Sequence, residues 1–177
     1  MQWASEKLPK NFLVLLTDDS MFLHVVNLRL TITSAAWNVK HHNWPEFPLV
    51  CATRTVKSAP VVRSRTDPQF VAESDYRWPM FPTSCARGGY WSSVAIMSEL
   101  FRKSVSLQHV RTTDAWVTGV LRRGIGMPSR MLLKAAKQVT YQLPSWDNEG
   151  KTRLAQMREA WENVRTWPRK HVRLCSC

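Results

Sequence analysis

The segment Phe12-Leu13-Val14-Leu15-Leu16-Thr17-Asp18-Asp19-Ser20-Met21-Phe22 constrains the fold more than any other stretch of the chain. Phe12 to Leu16 is an unbroken apolar run that gives way, one residue later, to two adjacent carboxylates. A run so short and so apolar reads as a fully buried strand in a sheet covered on both faces. Asp18 and Asp19 then stand at its carboxyl end, the edge at which open α/β sheets bind ligands. Two carboxylates there can hold a hard divalent cation, and the cation can hold a diphosphate. A strand ending this way suggests a nucleotide-using enzyme.

The chain has 177 residues, 44% hydrophobic and 21% charged, which suits a globular domain with a real core and excludes a disordered chain. Its net charge of +12 favours polyanions or anionic surfaces. The basic residues are dispersed, however, with Arg122-Arg123 and Arg169-Lys170-His171 the densest clusters, so solvated surface is the simpler account. No segment reaches the ~18 apolar residues that would span a bilayer, and the polar start from Met1 to Lys10 lacks a signal peptide. On its own terms the chain reads as soluble and untargeted. Cys51, Cys85, Cys175 and Cys177 allow three disulfide pairings, among which spacing does not choose.

Residues 1–11 read as a lead-in anchored by Trp3. After the first strand, Asp19 or Ser20 is positioned to cap a helix over about 21–34, with Phe22, Val25, Val26, Leu28 and Ile32 as its apolar stripe. Leu49 to Val56 reads as a strand, Phe70 to Glu73 as a short one, and His41-His42 as solvated loop. Tyr76-Arg77-Trp78-Pro79-Met80-Phe81-Pro82 is barred from helix by its prolines and forms a rigid aromatic loop. Gly88-Gly89 marks an unusual turn or a close backbone approach. Ser92 or Ser93 caps a helix presenting Val94, Met97, Leu100 and Phe101 to the core. Thr112 or Thr113 opens another, with Trp116, Val117, Val120 and Leu121 buried and Gly124 and Gly126 at its end. Met131 to Leu143 is read as helix then strand, and Leu154, Met157, Trp161 and Val164 define a last amphipathic helix.

Five motifs in order resemble glycosyltransferase family 31, which contains the β1,3-galactosyltransferases, β1,3-N-acetylglucosaminyltransferases and Fringe-type enzymes. They are Leu16-Thr17-Asp18-Asp19-Ser20-Met21-Phe22, Pro60-Val61-Val62-Arg63, Trp78-Pro79-Met80-Phe81-Pro82, Cys85-Ala86-Arg87-Gly88-Gly89-Tyr90 and Thr113-Asp114-Ala115-Trp116-Val117-Thr118-Gly119. The resemblance runs from about Trp3 to Ile125. It implies an α/β, GT-A-like (Rossmann-like) mixed sheet with flanking helices, incomplete at its N-terminal side. Residues 1–146 would be the C-terminal part of a catalytic domain, and 147–177 an amphipathic helix and basic tail. The implied reaction moves a hexose from a UDP-sugar to a hydroxyl of a glycan acceptor, on glycoprotein or glycolipid, with inversion and a β1,3 linkage. The family commonly uses manganese, and its members are Golgi membrane proteins with a lumenal catalytic domain. Membrane association would then belong to an N-terminal anchor not contained in this sequence.

By the same resemblance Asp114 is the catalytic base, since an inverting transfer needs a group to take the acceptor proton. Asp18 and Asp19 are the manganese ligands. Gly88 and Gly89 admit substrate close to the backbone, Arg87 is a candidate phosphate ligand, and Trp78, Phe81, Tyr90 and Trp116 can stack on sugar faces or serve as core. The sequence departs from the family pattern at three places. Ser20 stands at the third acidic position when aligned on Phe22, whereas a one-residue shift puts Asp19 there. No histidine lies between Asp114 and His171, and Arg87 replaces a small residue. Two other readings compete: a relative that keeps the fold without the activity, and a basic nucleic-acid-binding module, whose binding would fall steeply with salt.

Overall fold

A computed structural model of the chain describes residues 1–17, 21–44, 46–110, 112–135, 137, 139–142, 155, 158–159 and 161–162. Helix α1 (Gln2–Lys7) leads into strand β1 (Leu13–Leu16), then β2 (Met21–Leu23) and the long helix α2 (Val25–His41). Strands β3 (Leu49–Cys51), β4 (Thr55–Val56), β5 (Ser84–Cys85) and β6 (Tyr90–Ser93) precede α3 (Val94–Ser104). A composite helical stretch follows: α4 (Thr113–Ala115), a π-helical turn over Trp116–Leu121 and α5 (Arg122–Gly124). A 3-10 turn, Ser129–Met131, opens β7 (Leu132–Lys134), and β8 (Thr140–Gln142) comes last.

The main sheet has the order β1-β6-β3-β7. Strands β1 and β3 are both antiparallel to β6, and β3 is parallel to β7. Hence β1, β3 and β7 share one direction, and their carboxyl ends lie at the same edge as the start of β6. Two small pairs, β2 with β8 and β4 with β5, stand beside it. Side chains alternate across the sheet as the period of two requires. Leu16, Cys51, Tyr90 and Leu132 join the core beneath α3 and the π turn, whereas Leu15, Val50, Trp91 and Leu133 join a second core with Ala35 and Leu28 of α2. The result is a mixed α/β sheet with helices on both faces.

Several expectations are corrected. The lead-in is a helix whose buried residue is Ala4, and Trp3 is exposed. The run Phe12 to Leu16 does form a strand, but at the sheet edge. All four residues of β1 are half-buried because, among the described residues, β6 alone pairs with it. Met21–Leu23 is strand rather than helix, since it pairs with β8. Helix α2 starts later, with the His24 imidazole accepting the Asn27 N–H as its cap, and runs on through His41. Its buried residues are Asn27, Thr31 and Ala35, while Val25 and Val26 of the expected stripe face solvent. The strand expected over Leu49 to Val56 is split into β3 and β4, and Phe70 to Glu73 is irregular. Met131 to Lys134 is a 3-10 turn's end and a strand, not a helix.

Other expectations hold. Ser93 caps α3 by accepting the Ile96 N–H, and Tyr76 to Pro82 is non-helical, with Met80 in an isolated antiparallel bridge to Pro60. A disulfide joins Cys51 to Cys85, both nearly fully buried, and so selects the pairing that spacing left open. Cys175, Cys177 and nearly all of residues 147–177 lie outside the described residues. Among the described residues no helix is long and apolar enough to cross a membrane.

Candidate active site

The carboxyl end of β1 and the start of β6 meet over a hollow of about 550 Å³. It is lined by Leu16, Thr17, Arg87, Gly89, Tyr90 and Asp114, together with Pro68, Gln69, Thr112 and Thr113. Asp18 and Asp19 continue the chain from Thr17 and lie outside the described residues. The fold thus gathers Asp114, Arg87, Gly89 and Tyr90 on one cavity, at the sheet edge where strand ends leave backbone groups facing a ligand.

Gly88 and Gly89 are fixed by what surrounds them. Gly89 has φ +103°, and a Cβ there would run into the Leu16 carbonyl oxygen and sit 3.0 Å from Thr17 Cβ. Gly88 has φ +124°, and its Cβ would lie 2.6 Å from Thr53 Cγ2 and 2.9 Å from Thr140 Oγ1. Both positions need the left-handed region, and the close neighbour in each case is protein. The Gly88 carbonyl accepts hydrogen bonds from the Thr140 hydroxyl at 2.6 Å and the Thr17 hydroxyl at 3.3 Å. These contacts hold the rim of the hollow against β1. The exposed Arg87 extends into the same hollow, and its carbonyl accepts from Thr53.

Asp114 occupies the first turn of the composite helix, where the N-terminal dipole favours an anion. Its carbonyl accepts the Thr118 hydroxyl at 2.6 Å, and the same oxygen of Thr118 accepts the Cys85 N–H at 2.7 Å. Cys85 is in turn bonded to Cys51 at the end of β3. One continuous linkage therefore runs from the sheet through the disulfide and Thr118 to the backbone of Asp114. The Tyr90 hydroxyl is held protonated, first by burial and second by the Asp114 carboxylate. It faces that carboxylate as a neutral group.

The remaining aromatic candidates lie elsewhere. Trp116 is 6% exposed, packs edge-on against His109, and donates its indole N–H to the Gln108 carbonyl within the core. Trp78 and Phe81 line a different cavity, and Phe81 is buried against Tyr76. Among the described residues no three His, Cys, Asp or Glu side chains group as a metal site. Sequence reasoning missed Thr17, Thr112, Gln69 and Thr118. Thr118 carried a signal, its place four residues after Asp114, one helical turn on; Gln69 carried none.

Comparison with known proteins places the chain in a family. The chain is similar to human lactosylceramide 1,3-N-acetyl-beta-D-glucosaminyltransferase, 23% identical over 125 residues, which make up 71% of this chain and 31% of that enzyme. The chain thus spans about a third of the length of the curated relative it matches. The pattern of the galactosyltransferase family matches residues 1–132, which takes in β1, the glycine turn, Asp114 and the start of β7. The chain belongs to the galactosyltransferase family, glycosyltransferase family 31.

Proposed function

We propose that this chain belongs to an inverting hexosyltransferase of GT-A fold, moving a sugar from a UDP-sugar to a glycan hydroxyl in β1,3 linkage. The observation that carries the reading is Asp114 on the same hollow as Arg87, the glycine turn and the end of β1. In this scheme the Asp114 carboxylate takes the acceptor hydroxyl proton as the oxygen attacks the anomeric carbon. The bond from that carbon to the diphosphate breaks on the opposite face, and UDP departs with the electron pair. The Arg87 guanidinium supplies positive charge for the diphosphate. Tyr90 stays neutral beside Asp114 and adds no negative charge to it.

Among the described residues no three His, Cys, Asp or Glu side chains form a metal site. Manganese held by Asp18 and Asp19 belongs to the proposal on the chemistry of carboxylate donors, which suits that ion; when bound it would offset diphosphate charge. A lumenal Golgi setting is supported by the buried Cys51–Cys85 disulfide, since such bonds persist in oxidising compartments.

The test is transfer from UDP-galactose and UDP-N-acetylglucosamine to lactose-terminated acceptors. Asp114→Asn should lower kcat by about 100-fold or more while leaving UDP affinity within a few-fold. Loss of UDP binding together with turnover, or no loss of either, would remove Asp114 from its role. Ser20 at the third acidic position favours a second reading, a relative that keeps the fold without catalysis. Calorimetry separates the two: heat with UDP and manganese supports the enzyme, and no heat with either supports the inactive relative.

A further inference from the structure

A second cavity of about 700 Å³ lies at the far end of the composite helix from Asp114 and shares no lining residue with the first. Its walls include Tyr76, Trp78, Met80, Phe81, Lys103 and Arg123, and among the described residues no carboxylate lines it. Trp78 is 56% exposed and Met80 42%, an unusual amount of apolar surface for neighbouring positions on one loop.

That loop is rigid. Arg63 donates to the carbonyls of Val71, Tyr76 and Trp78. The Tyr76 hydroxyl donates to the Met80 carbonyl, the Val61 N–H donates to Pro79, and the Phe81 N–H donates to Ala59. Arg77 stacks over the Trp78 ring at 4.9 Å from its centroid. These bonds fix the backbone that carries the exposed indole, which lowers the ordering cost of binding.

We propose that this groove is a binding site for a saccharide bearing a carboxylate or sulfate, distinct from the transfer cleft. The flat apolar indole suits the C–H face of a pyranose ring, and Lys103 and Arg123, with Arg77 beside the indole, complement an anionic substituent. A long nucleic acid needs a continuous basic track, which two lining cations do not provide. The choice of a saccharide rests on the transferase reading; the choice of an anion rests on the groove's charge.

The experiment is calorimetric titration of the full chain with 3′-sialyllactose, a sulfated N-acetyllactosamine and neutral lactose, without donor or metal. The anionic sugars should bind at least about tenfold more tightly than lactose, with affinity falling as salt rises. Trp78→Ala should lower that affinity about tenfold, and Lys103→Gln with Arg123→Gln should reduce the preference for the anionic sugars to near unity. Trp78 and Arg123 are exposed, so circular dichroism should report unchanged folding. Asp114→Asn should leave this binding intact, and UDP titration in parallel reports on the transfer cleft independently. Equal binding of lactose, no binding of any sugar, or preferential binding of a proline-rich peptide or single-stranded DNA would each overturn the assignment.

Discussion

Thr118 shows how much one buried hydroxyl can organise. It is fully buried and uses its oxygen twice, donating to Asp114 and accepting from Cys85. Thr118→Val keeps the shape but leaves the Cys85 N–H buried without its acceptor, which should cost about 1–3 kcal/mol in denaturant unfolding. It should also lower kcat more than it changes KM, because the turn carrying the carboxylate loses its tie to the disulfide. Thr118→Ser should recover most of both. His24 acts at the same scale. Burial is the main cause lowering its pKa from 6.5, with the Lys137 charge contributing in the same direction. Only the neutral ring can accept the Asn27 N–H, so protonation removes the cap of α2. Because the folded pKa lies below the unfolded one, the unfolded chain binds more protons between the two. Stability should therefore be full above about pH 6.5 and fall as pH drops through that window. A Tm series from pH 7.5 to pH 5 checks this, and His24→Asn, which can still cap, should flatten it.

At the scale of elements, the composite helix is shaped by side chains as well as by backbone bonds. Arg122 is 2% exposed, and its guanidinium donates to the carbonyls of Thr118, Met127 and Thr83. Thr118 thereby has its carbonyl bound by a side chain inside the π-helical turn, a departure from regular helix of the kind found near functional sites. The disulfide ties β3, of three residues, to β5, of two, which otherwise pairs only with the short β4 among the described strands. Closing a loop of 34 residues stabilises the fold by about 4 kcal/mol on chain entropy alone. Cys51→Ala with Cys85→Ala should lower the Tm by many degrees, and a thermal melt under strong reductant should approach the same value. If the double variant melts within a degree or two of the parent, the disulfide is not what holds this edge of the sheet.

For the whole molecule, helix α2 is amphipathic in the unexpected sense. Asn27, Thr31 and Ala35 point to the sheet, while Val25, Val26, Leu30 and Trp37 occupy the opposite side and are exposed. Strand β1 forms one edge of the sheet, and the neighbouring Phe12 and Trp3 are exposed as well. Open strand edges and apolar patches promote association between chains. The chain should self-associate at micromolar concentration and above, as read by light scattering. Val26→Glu with Trp37→Glu should reduce that association while costing no more than about 1 kcal/mol of stability, since neither side chain is buried.

The sequence by itself determined the local signals: the apolar run that becomes β1, the Ser93 cap, the proline-barred loop and the glycine pair each follow from short-range sterics and hydrogen bonding. It also carried the order of motifs that marks the family. Tertiary structure alone decided what depends on distant partners. Pairing with β8 made Met21–Leu23 a strand and moved the start of α2 to His24. The position of β1 beside a single neighbour among the described strands left its apolar run half-buried. Bringing the ends of β3 and β5 together chose Cys51 and Cys85 from three possible pairings, and placing Thr118 between Cys85 and Asp114 fixed the Asp114 backbone beside the hollow. Trp116 and Trp78 are equally aromatic in sequence, yet one is core and the other surface, because burial is set by which elements arrive from elsewhere in the chain.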